Sequence, residues 1–174
     1  MQLRPVREHD LAWLLELRQE DNWLHHNAQH CDLETQKEWF ESLSPTNVCF
    51  CGYFPHSSPA AFNSGIKSKA SLGYFYFQNI DWTNRTADVS WGLRKDFRGA
   101  GLGKQLVAAG GDYARNSFIL RRLNAEILSP NIPSKVCAEA AGFVHEGTKR
   151  KAVVRNGETY DSLVFGLLLN ATCA

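Results

Sequence analysis

The seven residues Arg98-Gly99-Ala100-Gly101-Leu102-Gly103-Lys104 constrain this chain more than any other stretch. They follow an apolar run, 87–93, with the character of a strand. They precede a helical pattern that sets Leu102, Leu106, Val107, Ala109 and Tyr113 on one side. Glycines at alternate positions between a strand and a helix start leave backbone N–H groups uncovered by side chains. At a helix N-terminus those groups and the helix dipole favour an anion. The stretch therefore reads as a phosphate cradle, the alternative being an ordinary strand-to-helix turn. A P-loop is excluded, because Arg98 and Gln105 stand where it requires Gly and Ser or Thr. The dinucleotide fingerprint is excluded by Lys104, which replaces its third Gly. What is left is Arg-x-x-Gly-x-Gly.

A chain of 174 residues, 44% hydrophobic with a net charge of +1, suits one globular domain spanning 1–174. The balanced charge argues against bulk nucleic-acid binding. Lacking a membrane-length apolar run or a signal peptide after Met1, the chain is expected to be cytoplasmic and off the membrane. The five cysteines (Cys31, Cys49, Cys51, Cys137, Cys173) show no zinc or redox spacing and read as reduced thiols, and no metal is expected.

Taken in order, Gln2–Val6 reads as a strand, and Asp10 as the N-cap of a helix carrying Leu11, Leu14, Leu15 and Leu17. Residues 21–29, with Trp23, His25 and His26, are polar and aromatic; a second helix, opened by Asp32 or Thr35, carries Trp39, Phe40 and Leu43. Strands are expected at 48–54, 72–80, 86–93 and 122–128, with a long exposed loop over 55–70. Asn131 caps a helix through Ala141, with Pro133 in its first turn. Phe143-Val144, Thr148–Val154 and Thr159–Leu169 complete the strands around an Arg155-Asn156-Gly157 turn.

The glycine motif and this element order resemble the GNAT superfamily of acyl-CoA-dependent N-acyltransferases. A second motif is similar: Asn131-x-x-Ser134-x-x-x-x-Glu139-x-x-Gly142-Phe143. The ending, with Gly147, Arg150, Gly157 and Asp161, and Trp39-Phe40 early, resembles the RimJ/RimL-like branch. The resemblance implies an α/β fold: a mixed, mostly antiparallel twisted sheet of 6–7 strands, about four flanking helices and splayed central strands. It also implies acetyl-CoA as co-substrate and a primary amine acceptor, small or peptide: an amino sugar, a polyamine or a protein N-terminus. The acetyl group would pass by direct attack, in a monomer or homodimer. An inactive CoA-binding module of the same fold is the rival reading.

The resemblance assigns Gly92 and Leu93 to pairing with the pantetheine, and Arg98, Gly99, Ala100, Gly101, Leu102, Gly103 and Lys104 to the pyrophosphate. Arg98 could act through its backbone or its guanidinium, or simply close the turn. Asn131 could contact the pantetheine, cap its helix, or both. An alkylammonium, with a pKa of about 10, must lose a proton before it attacks. Asp88 is the candidate base, on the expectation that an apolar strand would raise its pKa by desolvation; the alternative is a carboxylate that faces solvent or pairs with Arg85. Many relatives carry a Tyr as general acid where this chain has Ala138, so Ser134 is the candidate donor to the departing thiolate. Cys137 is expected to be core. His145 is a weaker candidate for the acceptor site, and Trp23, Trp39, Tyr74 and Tyr76 would suit a sugar ring or a peptide terminus.

Overall fold

Side-chain alternation along the strands decides which helix packs where. The computed structural model describes residues 1–20, 31–55 and 70–169; Trp23, His25, His26, the 56–69 part of the expected loop and Cys173 lie outside them. In β3 (Gly73–Asp81), Phe75 and Phe77 face one side and Tyr74 and Tyr76 the other, the period of two of a strand. The phenylalanine face packs against α3 (Leu102–Asn116) and α4 (Ile132–Ala140), with Leu106, Val107, Ala114 and Ala138 in one core cluster. The tyrosine face packs against α1 (Leu11–Glu20) and α2 (Leu33–Glu41), through Leu14, Leu17, Trp39 and Phe40. Each fully buried Phe or Leu contributes roughly 1.5–3 kcal/mol. Cys49 and Cys51 share the tyrosine face; burial pushes both thiols up, Cys51 to about 12.

β1 (Gln2–Pro5), β2 (Val48–Tyr53), β3, β4 (Thr86–Leu93), β5 (Arg122–Leu128), β6 (Val144–Arg155) and β7 (Glu158–Leu168) form one sheet in the order β1-β2-β3-β4-β5-β7-β6. All neighbours are antiparallel except β4 and β5, which are parallel. Among the described residues this is the mixed sheet flanked by four helices that the resemblance implies. Two expected strands, 143–144 and 148–154, are one: β6 absorbs its irregularities as register shifts at His145/Gly147 and Lys149/Val153 instead of breaking. Asn156 and Gly157, at φ 50° and 81°, turn the β6–β7 hairpin.

Asp10 does not cap α1 as expected. It closes a 3-10 turn, Glu8–Asp10, and its carboxylate reaches back to the N–H of Arg7 at 2.9 Å. Both oxygens accept from Arg4 at 2.7 Å, and Trp13 Nε1 donates at 3.1 Å. Only 1% of Asp10 is exposed. Burial alone would raise its pKa; the bonds from Arg4, Trp13 and Arg7 outweigh it and hold the carboxyl well below the usual carboxylate range. A depressed folded-state pKa stabilises the fold above the unfolded value of about 3.9, and that contribution is lost as pH falls below it. Asp10→Asn is expected to cost about 3–5 kcal/mol at pH 7 by leaving Arg4 uncompensated. Thermal melts from pH 7 to pH 2 should show a shallower acid loss in the variant than in the parent.

Candidate active site

The site begins where two strands part. β4 and β5 pair at Thr86–Arg122, Ala87–Leu123 and Asp88–Asn124 only. Beyond that point β4 follows β3 as far as Leu93–Gly73, while β5 follows β7 through Leu128–Ser162. A cavity of about 770 Å³ opens in the gap. Its lining includes Asp88, Ser90 and Trp91 of β4, Glu126 and Ile127 of β5, and Asn131 and Ser134 at the start of α4. It extends to Arg18 of α1, Gln36 and Trp39 of α2, and Tyr74 and Tyr76 of β3.

The ladder also fixes which backbone groups face the gap. Val6 donates to the Cys49 carbonyl at 3.0 Å, so Cys49 and Cys51 turn their backbone groups toward β1. Alternation across β2 and β3 then directs those of Asp88, Ser90 and Gly92 to β3. The backbone groups of Val89, Trp91 and Leu93 face the gap. Of the two residues expected to pair with a pantetheine, Leu93 is therefore suitably turned, and Gly92 is not: it pairs with Tyr74. Alternation turns the Leu93 N–H to the gap, and on the same side its carbonyl accepts from Arg98 Nε at 2.8 Å. Arg98 thus closes the turn with its side chain, one of the roles open to it.

After β4 the chain enters the glycine stretch. Gly99 and Gly101 lie at φ 83° and 72°, left-handed values that glycine adopts without strain, and a Cβ on either would meet nothing within 4 Å. Gly101 is the N-cap of α3. Residues 98–101 are exposed, and Leu102 anchors them in a small cluster with Phe54 and Leu72. Open backbone at a helix N-terminus, with no side chain above it, fits a pyrophosphate. Gly103 serves packing instead: a Cβ there would come within 2.8 Å of Cys137 Sγ, so it lets α4 seat against α3. Lys104 is exposed beside the stretch.

The candidate base is placed differently from the expectation. Ala87 and Val89 are buried at 1% and 5%, but alternation turns Asp88 to the opposite, exposed side. The desolvated apolar setting does not exist. Asp88 Oδ2 accepts from Asn79 Nδ2 at 3.0 Å and Oδ1 from Asn124 Nδ2 at 3.2 Å. Arg122 Nε donates to Asn124 Oδ1 at 2.7 Å, which fixes the direction of that amide, and Arg122 is itself paired with Glu146. Asn131 caps α4 by accepting from the Ser134 N–H at 3.2 Å, and both residues line the cavity. Ala138 is fully buried, so no side chain there reaches the gap. Cys137 packs against the core, and burial pushes its thiol up against the opposing pull of Lys104. His145 bonds Thr148 at 3.2 Å and does not line the cavity.

Several lining residues escape a reading of the sequence. Glu126 accepts from the Ser162 hydroxyl at 2.9 Å and pairs with Lys149; its signal was the polar alternation of Asn124 and Glu126 within β5. Gln36, 1% exposed, accepts from Arg18 Nη1 at 2.9 Å. Nothing local marks either residue, because they meet from separate helices. Among the described residues, no cluster of metal-binding side chains occurs and no helix is long and apolar enough to cross a membrane.

Comparison with known proteins agrees with this geometry. "Probable N-acetyltransferase YjcK" of Bacillus subtilis is 35% identical over 53% of this chain and 51% of its own length. An uncharacterized N-acetyltransferase, p20, of Bacillus licheniformis is 29% identical over 56% of this chain and 54% of its own. The chain thus spans about half the length of the curated relatives it matches. A spermidine N-acetyltransferase from Vibrio cholerae, solved with CoA and spermine, superposes with a TM-score of 0.83 over 98% of this chain and 96% of its own, at 16% identity. The family model for the acetyltransferase (GNAT) domain matches residues 1–144. This chain belongs to the GNAT acetyltransferase family.

Proposed function

We propose that this protein transfers an acetyl group from acetyl-CoA to a primary amine by direct attack. The observation that carries the reading is the parted β4–β5 pair, toward whose gap the Leu93 N–H is turned, with the open glycine stretch following β4 at the start of α3. The N-acetyltransferase names of the relatives, and the CoA held by the Vibrio cholerae structure, support it.

Acetyl-CoA, when bound, supplies a thioester carbon that takes the amine nitrogen as the C–S bond breaks. Residues 98–104 hold the pyrophosphate through backbone N–H groups, and Asn131 borders the pantetheine. The Leu93 N–H faces the gap where the thioester oxygen gains charge. Asp88, held by Asn79 and Asn124, takes the proton of the ammonium directly or through water. The Ser134 hydroxyl passes a proton to the departing thiolate and regains, through water, the proton that the nitrogen sheds as the amide forms. Its own N–H is satisfied by Asn131, so the hydroxyl is not needed for capping.

The reading is tested by thiol release from acetyl-CoA with a panel of amines; CoA binding with no release from any of them favours the inactive module. Gly101→Asp should weaken CoA binding about 10-fold or more, or 1.4 kcal/mol, relative to Gly101→Asn. Asn tolerates the same left-handed backbone without the charge, so the pair isolates repulsion from strain. Equal affinities would remove the cradle. Asp88→Asn should lower turnover about 10²-fold with CoA binding retained, and an unchanged pH–rate profile would dismiss it as the base. Ser134→Ala should lower turnover by about 10-fold with the KM for acetyl-CoA within a few-fold, while Cys137→Ala keeps most activity. A dead Cys137→Ala variant together with an acetylated enzyme trapped by mass spectrometry would replace direct attack with a covalent route.

A further inference from the structure

The acceptor end of the cavity carries a charge pattern that the transfer reaction does not require. Among the described lining residues the ionisable side chains of unlike sign are Asp88 and Glu126 on one hand, Arg18 and Lys149 on the other. Glu126 and Lys149 pair with each other. Asp88 and Arg18 are left as the two poles, one near the strand junction and one at the helical end.

Arg18 is built into its place. Its guanidinium lies 6.0 Å from the centroid of the Trp39 ring, and Trp39 meets Tyr76 edge to face at 5.6 Å. Nη1 donates to Gln36 Oε1 at 2.9 Å, and the Cys31 thiol reaches the same oxygen at 3.6 Å. A guanidinium at one end of a partly apolar cavity offers donors only, and it selects a group that only accepts. A polyamine brings a second ammonium to this end, where it meets like charge with no carboxylate to receive it among the described residues.

We propose that the acceptor is a small primary amine bearing a carboxylate, with its amine toward Asp88 and its carboxylate on Arg18. The proposal rests on the acetyl-transfer reading above. The sheet register gives one component of the separation of the two poles. Asp88 pairs with Gln78, and Ser90 with Tyr76, which carries Trp39 and Arg18 above it. At about 3.3 Å per residue, the two poles are offset by roughly 7 Å along the strand.

The experiment compares matched acceptors in thiol release from acetyl-CoA: α- and ω-amino acids, the same compounds as carboxamides, short peptides, and spermidine. The parent enzyme should prefer the carboxylate over its carboxamide by 10-fold or more in kcat/KM. In Arg18→Gln that ratio should fall toward one, chiefly through the KM of the carboxylate, and Arg18→Lys should fall between. A ratio measured within one preparation cancels any loss of folded enzyme, and melting curves check the variants. A parent that prefers the carboxamide, spermidine or a peptide overturns the inference and leaves acetyl transfer standing. So does a ratio that Arg18→Gln does not move. Acetyl-CoA binding without thiol release from any amine overturns the transferase reading itself, and this inference with it.

Discussion

Everything in the site depends on a parallel pairing that stops after three residue pairs. β4 and β5 are bridged from Thr86 to Asp88 and from Arg122 to Asn124, and then each is claimed by its outer neighbour. Backbone groups that a continuous sheet would consume are thereby presented to a cavity. The same divergence lets side chains of both sheet faces meet in one space. Asn131 and Ser134 arrive from the α4 side, and Trp39 and Arg18 from the opposite side. A sheet closed by full pairing would keep those two helical layers apart.

Legibility in the sequence followed the range of the signal. The limits of β4 and β5, the Asn131 cap and the start of α3 rest on local periodicity and turn chemistry, and the structure has them at the expected residues. The glycine stretch was readable as a unit. Its division of labour was not, because Gly103 matters through Cys137, which lies on another helix. Asp88, the candidate base, lines the cavity, but its surroundings differ from those expected of an apolar strand. An apolar neighbourhood in sequence becomes, in a strand, an apolar opposite face. Arg18 and Gln36 carried no signal, since neither α1 nor α2 alone indicates which of its polar residues turns inward.

The site's polar groups are held in a graded way. Asp88 is fixed by two neutral amides, one of them aligned by Arg122. Glu126 is bound to a cation and a buried hydroxyl. A carboxylate held by amides keeps its charge uncompensated by a neighbouring cation, whereas one bridged to Lys149 is largely neutralised as a pair. Two acids in one cavity therefore present different fields to an incoming ammonium, and Asp88 is the stronger attractor.

The sheet ends at β6, and an end strand is a surface on which other chains can build. Here the long outer strand is interrupted at two places by shifts of register, and Lys151, within the second, adopts a left-handed φ of 49°. Lys149, Arg150 and Lys151 stand exposed in succession along it. A neighbouring strand seeking to extend the sheet would find its hydrogen-bond spacing broken and a row of like charges to bury. The irregularity of β6 thus works against open-ended strand addition along a twelve-residue β-strand at the rim of the described sheet.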